Sequence, residues 1–143
     1  MQKAGGYEYS ADERNFAATL QKTLGVTISV PGPETVITDK SQDPFPASGD
    51  IGDVSWIVPT AQVMASTYVP GVTSHTWQAT ACVGSSIGRK GMVVAARTLA
   101  LAAIELFASP AQVQAAHESF EKRRAGRTWT THIAPDSKPR LPK

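Results

Sequence analysis

The residues best suited to chemistry lie between positions 50 and 78, in a stretch rich in glycine and short polar side chains. Asp50 and Asp53 sit among glycines at its start, and His75 lies between Ser74 and Thr76 near its end. Glycine allows backbone conformations closed to other residues, so such a stretch can aim several polar groups into a small space. Because scaffolds usually present chemistry on loops, we expect any functional site to lie here.

His75 is the leading candidate for a functional side chain. Imidazole is the commonest side-chain metal ligand, and a neighbouring polar group can hold its tautomer. The alternative is a loop histidine whose ring bonds only to backbone. The other histidines, His117 and His132, form no HExxH-type pair with it, so spacing alone assembles no complete metal site.

The two aspartates have a structural explanation as well as a functional one. Aspartate next to glycine often bonds its own backbone in turns and helix caps. We favour this structural role for Asp50. For Asp53 it remains open whether the carboxylate caps a turn or binds a metal, an amine or the arginine of a partner.

Composition restricts the class of protein. The 143 residues are 41% apolar and 18% charged, which is typical of one globular domain. The net charge of +2, with basic residues mainly in the tail, argues against nucleic acid as a partner. The lone Cys82 excludes an internal disulfide. We expect it to be a small buried residue in a cytoplasmic protein.

Helical periodicity and end signals predict three main helices, over residues 11–24, about 87–108, and 110–125. Ser10 and Glu13 form the pattern of a capping box at the start of the first helix. Ser109 is placed to cap the third helix, and Gly126 to end it. We expect residues 1–9 to be a lead-in, residues 10–126 to form the domain, and residues 127–143 to be a basic, proline-rich surface tail.

The second predicted helix is apolar nearly all round. Arg97 and Glu105 interrupt its apolar run, and a membrane span needs about 20 apolar residues. We therefore expect a helix buried on all sides and no membrane partner. A chain this short offers few elements to cover such a helix.

Four short segments are candidates for strands, at residues 26–30, 36–38, 54–58 and 62–68. In the last two, apolar side chains alternate with other residues, which is typical of half-buried strands. Together with the helices, these two to four strands predict an α/β fold.

Three motifs resemble those of a known enzyme family. They are Gly-Asp-Val-Ser-Trp at 52–56, Ser-His-Thr-Trp-Gln at 74–78, and Gly-Met-Val-Val-Ala-Ala from residue 91. Together they are similar to the C-terminal part of the p-aminobenzoyl-glutamate hydrolase group. That group belongs to the dinuclear aminoacylase and carboxypeptidase class of metal-dependent amidohydrolases. The likeness runs from residue 10 to about residue 125.

The resemblance implies the C-terminal portion of a zinc-peptidase-like α/β/α catalytic domain. Enzymes of this class bind two divalent metals, usually zinc or manganese, and cleave an amide next to a carboxylate-bearing amino acid. By resemblance, His75 matches the last metal ligand of the family. Asp53, Ser55, Trp56 and Gln78 would lie near the substrate.

The family's earlier metal ligands and its glutamate pair have no counterpart in these residues. The resemblance therefore implies a segment that contributes one metal-ligand loop and is inactive alone. Its partner would be the N-terminal part of the same catalytic domain. The uncovered apolar helix would favour self-association. A free-standing, non-catalytic binding or self-association module is the alternative.

Overall fold

The computed structural model describes residues 2–30, 49–131, 133–134 and 136–138. Within these ranges the chain forms helices and no strand. A 3-10 helix at Gln2–Ala4 precedes α1 (Ala11–Thr23), α2 (Ile51–Ser55), α3 (Trp77–Gly84), α4 (Ser86–Ala108) and α5 (Pro110–Arg124). The chain divides into two compact units. One comprises Met1–Asp43 and Gln62–Ala108, and the other comprises Pro44–Ala61 and Ser109–Lys143.

The predicted α/β fold is wrong for the described residues. The segment 54–58 is not a strand, because it completes α2 and continues as a turn. The amide of Val54 donates to the Asp50 carbonyl, and the amide of Val58 donates to the Val54 carbonyl. A strand needs a neighbour to bond its backbone groups, whereas a helical turn satisfies them locally. The predicted strand at 36–38 lies outside the described residues, as does His132.

The segments 26–30 and 62–68 also have no regular secondary structure. The alternation in the second segment is nevertheless visible in its burial. Val63, Ala65 and Thr67 are half-buried, whereas Met64 and Ser66 are exposed. Alternating burial shows that one side of the segment packs against the protein. Such packing does not require a neighbouring strand.

The contact beneath residues 62–68 is made by α4. A Cβ atom on Gly91 would collide with the Ser66 carbonyl oxygen and lie 2.8 Å from the Thr67 methyl group. Glycine is therefore required for α4 to approach this backbone. The Tyr7 hydroxyl donates to the same Ser66 carbonyl at 2.7 Å.

The predicted start of α1 is confirmed. Ser10 accepts a hydrogen bond from the Glu13 amide at 3.2 Å, and the Glu13 carboxylate accepts one from the Ser10 amide at 2.7 Å. The helix ends at Thr23, and Gly25 then takes a left-handed conformation with φ of 65°. The third predicted helix is confirmed as α5, where Ser109 provides the cap.

The core of the first unit lies between α1, α3 and the start of α4. Its buried members are Ala17, Leu20, Val69, Cys82 and Ile87. Cys82 has no exposed surface, as expected, and its sulfur accepts from the Val69 amide at 3.4 Å. Packing of α1 against Val69 and Cys82 thus holds α3 and the segment before its loop in place.

The prediction that α4 is buried on all sides is wrong for this chain. Its buried residues are Ile87, Gly88, Gly91 and Val94, all near the N-terminal end. Most large apolar side chains on the rest of the helix are exposed, and Phe107 is 93% exposed. By length and composition alone, α4 could cross a membrane. Of its most apolar 18-residue stretch, 17% is buried.

Candidate functional site

His75 lies in an exposed loop immediately before α3. Its φ angle of 62° places it in the left-handed region, which is uncommon for a residue other than glycine. The next residue, Thr76, caps α3 by accepting from the Ala79 amide at 3.2 Å. The Thr76 hydroxyl also donates to the Thr73 carbonyl at 2.9 Å. Because left-handed positions cluster at functional sites, the backbone conformation of His75 agrees with a functional role for this residue.

The C-terminal end of α1 holds this loop on both sides. Before the loop, the buried Gln21 side chain donates to the Pro70 carbonyl at 3.0 Å and to the Ile28 carbonyl at 2.8 Å. After the loop, the Gln78 amide donates to the Thr23 hydroxyl at 3.3 Å. Because both ends of the loop are hydrogen-bonded to the same helix, the backbone around His75 is held in place.

An open cleft of about 670 Å³ lies beside the loop. Its described lining consists of Tyr68, His75, Thr76, Trp77, Ala79, Thr80, Val83 and Gly84. The helical period explains this set. Gln78, Ala79 and Cys82 are the buried residues of α3, whereas Trp77 and Thr80 are exposed on its other side. The exposed side of α3, the buried Ala79 next to it, Tyr68 and the His75 loop together form the cleft.

The cleft by itself does not fit a dinuclear metal centre. Of the described residues that line it, His75 is the only histidine, cysteine or carboxylate. Across the described ranges, no three such side chains are grouped closely enough to hold a metal ion. Structural and catalytic zinc sites use three or four protein ligands. The described cleft can therefore supply one ligand and no carboxylate base.

The second unit holds three of the residues predicted to lie near the substrate. The Asp53 carboxylate accepts from the Trp129 indole at 3.2 Å, and the Arg127 guanidinium lies 5.0 Å from the centre of the Trp56 ring. The Ser55 hydroxyl donates to the Gly52 carbonyl at 2.6 Å. The start of the C-terminal tail thus contacts two of the residues that the resemblance singles out, Asp53 in α2 and Trp56 at the end of that helix.

Gln78, the fourth of these residues, is buried and bonded to Thr23. In the described chain its side chain anchors the loop. Sequence reasoning missed the cleft residues Trp77 and Thr80, because the small residues at 79–84 give no clear structural signal. It missed Tyr68 because the alternation at residues 62–68 is also typical of a strand. Thr76 as a cap followed by helical spacing would have shown that Trp77 and Thr80 share a side.

Among the described carboxylates, Glu13 has the pKa that is shifted most strongly, and it does not line the cleft. Burial by itself would raise its pKa. Hydrogen bonds from Lys90, Ser86 and the Ser10 amide, together with the positive charge of Lys90, outweigh that effect and lower the pKa to about 2. Since these bonds satisfy both carboxylate oxygens, the role of Glu13 is structural.

Comparison with known proteins adds one relationship. The chain is 28% identical, over an alignment of 143 residues, to a p-aminobenzoyl-glutamate hydrolase subunit of Escherichia coli (strain K12). The match covers 82% of this chain. The chain is a distant, partial relative of that hydrolase component.

The chain spans 30% of the length of this curated relative. No protein-family model matches the chain. No solved structure matches it either. The resemblance inferred from the three motifs is thus supported as a distant relationship over part of the relative.

Proposed function

We propose that the chain is the C-terminal segment of a metal-dependent amidohydrolase catalytic domain, in which His75 supplies one ligand to a divalent zinc or manganese ion. The observation that carries the proposal is the placement of His75, an exposed imidazole in a left-handed conformation at the edge of an open cleft. The proposed substrate class is an amide of an amino acid, such as p-aminobenzoyl-glutamate. We infer this class from the name of the distant relative.

In this proposal the chain positions groups and does not react alone. Gln21 and Gln78 hold the loop so that His75 faces the cleft. The remaining metal ligands and the carboxylate base belong to the N-terminal part of the same catalytic domain. The substrate-binding roles of Asp53, Ser55, Trp56 and Gln78 belong to this proposal as well.

The exposed apolar side of α4 supports the proposal that this helix packs against another part of the domain. Met92, Leu99 and Ile104 are each more than half exposed on this helix. In soluble proteins, a group of large exposed apolar side chains of this kind often indicates an interaction site. In the proposal, this surface packs against the part of the domain that corresponds to the unmatched length of the relative.

Paramagnetic NMR tests the role of His75 directly. Mn²⁺ broadens the resonances of nuclei near its binding site, and His117, which is also exposed, provides an internal reference. We expect Mn²⁺ to broaden the imidazole signals of His75 at a concentration that leaves those of His117 sharp. The backbone amide signals of Ser74 and Thr76 should broaden with those of the imidazole, and in the His75→Ala variant these amide signals should stay sharp at the same concentration. Equal broadening of both histidines would show that the loop has no preference for metal.

Hydrolysis provides a second test of the proposal. The described cleft has no carboxylate base, so the chain alone should not cleave p-aminobenzoyl-glutamate, with or without added Zn²⁺ or Mn²⁺. Release of p-aminobenzoate at an enzymatic rate, lost in His75→Ala, would overturn the assignment of the base to another part of the domain.

The exposed apolar surface of α4 also favours a second candidate function, a non-catalytic self-association module. In that case the chain would form a defined oligomer and Mn²⁺ would not select His75. The NMR experiment separates the two functions, because the exposed apolar surface of α4 would drive self-association in either case.

A further inference from the structure

We propose that Trp77 and Tyr68 form a binding site for the aromatic ring of an aryl-amide substrate, directly beside His75. This inference rests on the proposed function, because it specifies which half of the substrate the cleft receives. Trp77, Tyr68 and His75 all line the same cleft.

Trp77 is unusual because a large aromatic side chain is exposed at a rigid position. It is 61% exposed, although it is the first residue of α3. On either side of it, Thr76 caps the helix and Gln78 is buried against α1. These contacts hold the backbone at Trp77, and an indole has only two side-chain torsions, so it can bind a planar group with little loss of conformational entropy.

The lining of the cleft favours an aromatic ligand over a dicarboxylate. Among the described residues that line it there is no lysine or arginine. The glutamate half of p-aminobenzoyl-glutamate carries two carboxylates, and proteins usually bind such groups with cationic side chains. The aminobenzoyl half is planar and neutral, and it matches the indole, the phenol and the apolar side chain of Val83.

The hydroxyl groups in the cleft suit the same half of the substrate. Thr80 lies on the exposed side of α3 and lines the cleft together with Tyr68. A hydroxyl can accept a hydrogen bond from an aromatic amine or donate one to an amide carbonyl. Aromatic stacking would thus orient the ring, and the attached amide would lie next to His75. Trp77 would act as a residue that determines substrate specificity.

A titration with two halves of the substrate tests this inference. The aryl probe is p-aminobenzamide, and the dicarboxylate probe is N-acetylglutamate. The backbone amide signal of Thr80, which lines the cleft and is retained in every variant, is followed by NMR in the full chain. We expect p-aminobenzamide to shift this signal with a dissociation constant of about 1–10 mM, which is typical of a ligand this small in an open site. N-acetylglutamate should cause no shift in that range.

Three variants make the test specific. Trp77→Ala should weaken binding of p-aminobenzamide by about twofold to tenfold, because an aromatic pair contributes that much beyond simple burial. Trp77→Phe keeps an aromatic ring and should restore most of the affinity. Met64→Ala removes an apolar side chain that is 67% exposed outside the cleft lining, and it should leave the affinity unchanged.

The inference is overturned if p-aminobenzamide does not bind, if Trp77→Ala binds it as well as the unmodified chain does, or if N-acetylglutamate binds at equal or lower concentration. Its failure can be told apart from failure of the proposed function. Selective broadening of His75 by Mn²⁺ without aryl binding would leave the metal-ligand role standing. Aryl binding without that selectivity would leave an aromatic-binding cleft with no metal role.

Discussion

The Lys90 ammonium nitrogen lies 2.6 Å from a carboxylate oxygen of Glu13, and this ion pair joins the start of α1 to α4. Glu13 is also the residue that completes the capping box of α1. Its other carboxylate oxygen accepts from the Ser86 hydroxyl at 2.5 Å. One buried side chain therefore links a local helix cap to a contact between helices that are more than 70 residues apart in sequence.

The first prediction concerns the stability that this cluster provides. Glu13→Gln keeps the shape of the side chain but removes its charge. Because hydrogen bonds to a charged group contribute about 1.5–3 kcal/mol, we expect the free energy of unfolding to fall by about that amount in urea denaturation. Glu118→Gln alters an exposed glutamate and should change the free energy by less than about 0.5 kcal/mol. Equal effects of the two variants would contradict a structural role for the cluster.

The second prediction is a specific acid sensitivity. The pKa of Glu13 is lowered from 4.5 to about 2 in the folded chain. Folding therefore favours the ionised carboxylate, and the stabilisation is fully present above pH 4.5. It should be lost as the pH falls from 4.5 toward 2. Urea denaturation across this range should show the difference in stability between the unmodified chain and Glu13→Gln shrinking as the pH falls. A difference that is constant with pH would rule out this linkage.

The third prediction concerns the contact between α4 and residues 62–68. In Gly91→Ala the new methyl group would collide with the Ser66 carbonyl, which is backbone and cannot rotate away. We expect a loss of about 1–3 kcal/mol in the free energy of unfolding, because α4 must shift. Gly52→Ala is the matched control, since no atom lies within 4 Å of the added methyl group in α2. That control should be neutral or slightly stabilising.

Local chemistry explains which elements could be predicted from the sequence. The first turn of α1 is determined by Ser10 and Glu13, and that of α5 by Ser109, all within four residues of the helix start. The failed strands depend instead on distant contacts. Alternation at residues 62–68 shows that one side is covered, but a helix such as α4 covers it as well as a sheet does. Periodicity alone does not separate the two cases.

The site was predictable to a similar extent. The residue types around His75 place it on an exposed loop, and the structure has it there, lining a cleft. Its metal-binding role stays a prediction. The anchoring of the loop by Gln21 was not predictable, because it joins side chain to backbone across 49 residues. An apolar run such as α4 also does not show whether the residues that pack against it belong to the same chain.

The fourth prediction tests the left-handed conformation of His75. Both His75→Ala and His75→Gly remove the imidazole, and they differ in backbone preference. Alanine is strained at a φ of 62°, whereas glycine is not. We expect the glycine variant to be more stable by about 1 kcal/mol in urea denaturation. If the two variants are equally stable, the loop relaxes to another conformation when the imidazole is absent.

The fifth prediction concerns the apolar surface of α4. Leu99 is 55% exposed and Ile104 is 62% exposed, so each meets water over most of its surface when the chain is alone. Apolar surface of this kind associates because burial releases about 25 cal/mol for each Å² removed from water. We expect the isolated chain to self-associate in sedimentation velocity measurements, with a stronger tendency at higher salt. Leu99→Glu combined with Ile104→Glu should shift the chain toward monomer.

Met64→Glu is the control for that experiment, because Met64 is equally exposed but lies outside α4. It should leave the association unchanged. Suppression by both variants would indicate non-specific aggregation and would remove the support for α4 as an interaction surface. Suppression by the α4 variant alone, with the α-helical circular dichroism signal retained, would show that this one surface drives association. The part of the domain that we propose as its partner should then compete for the same residues and dissociate the oligomer.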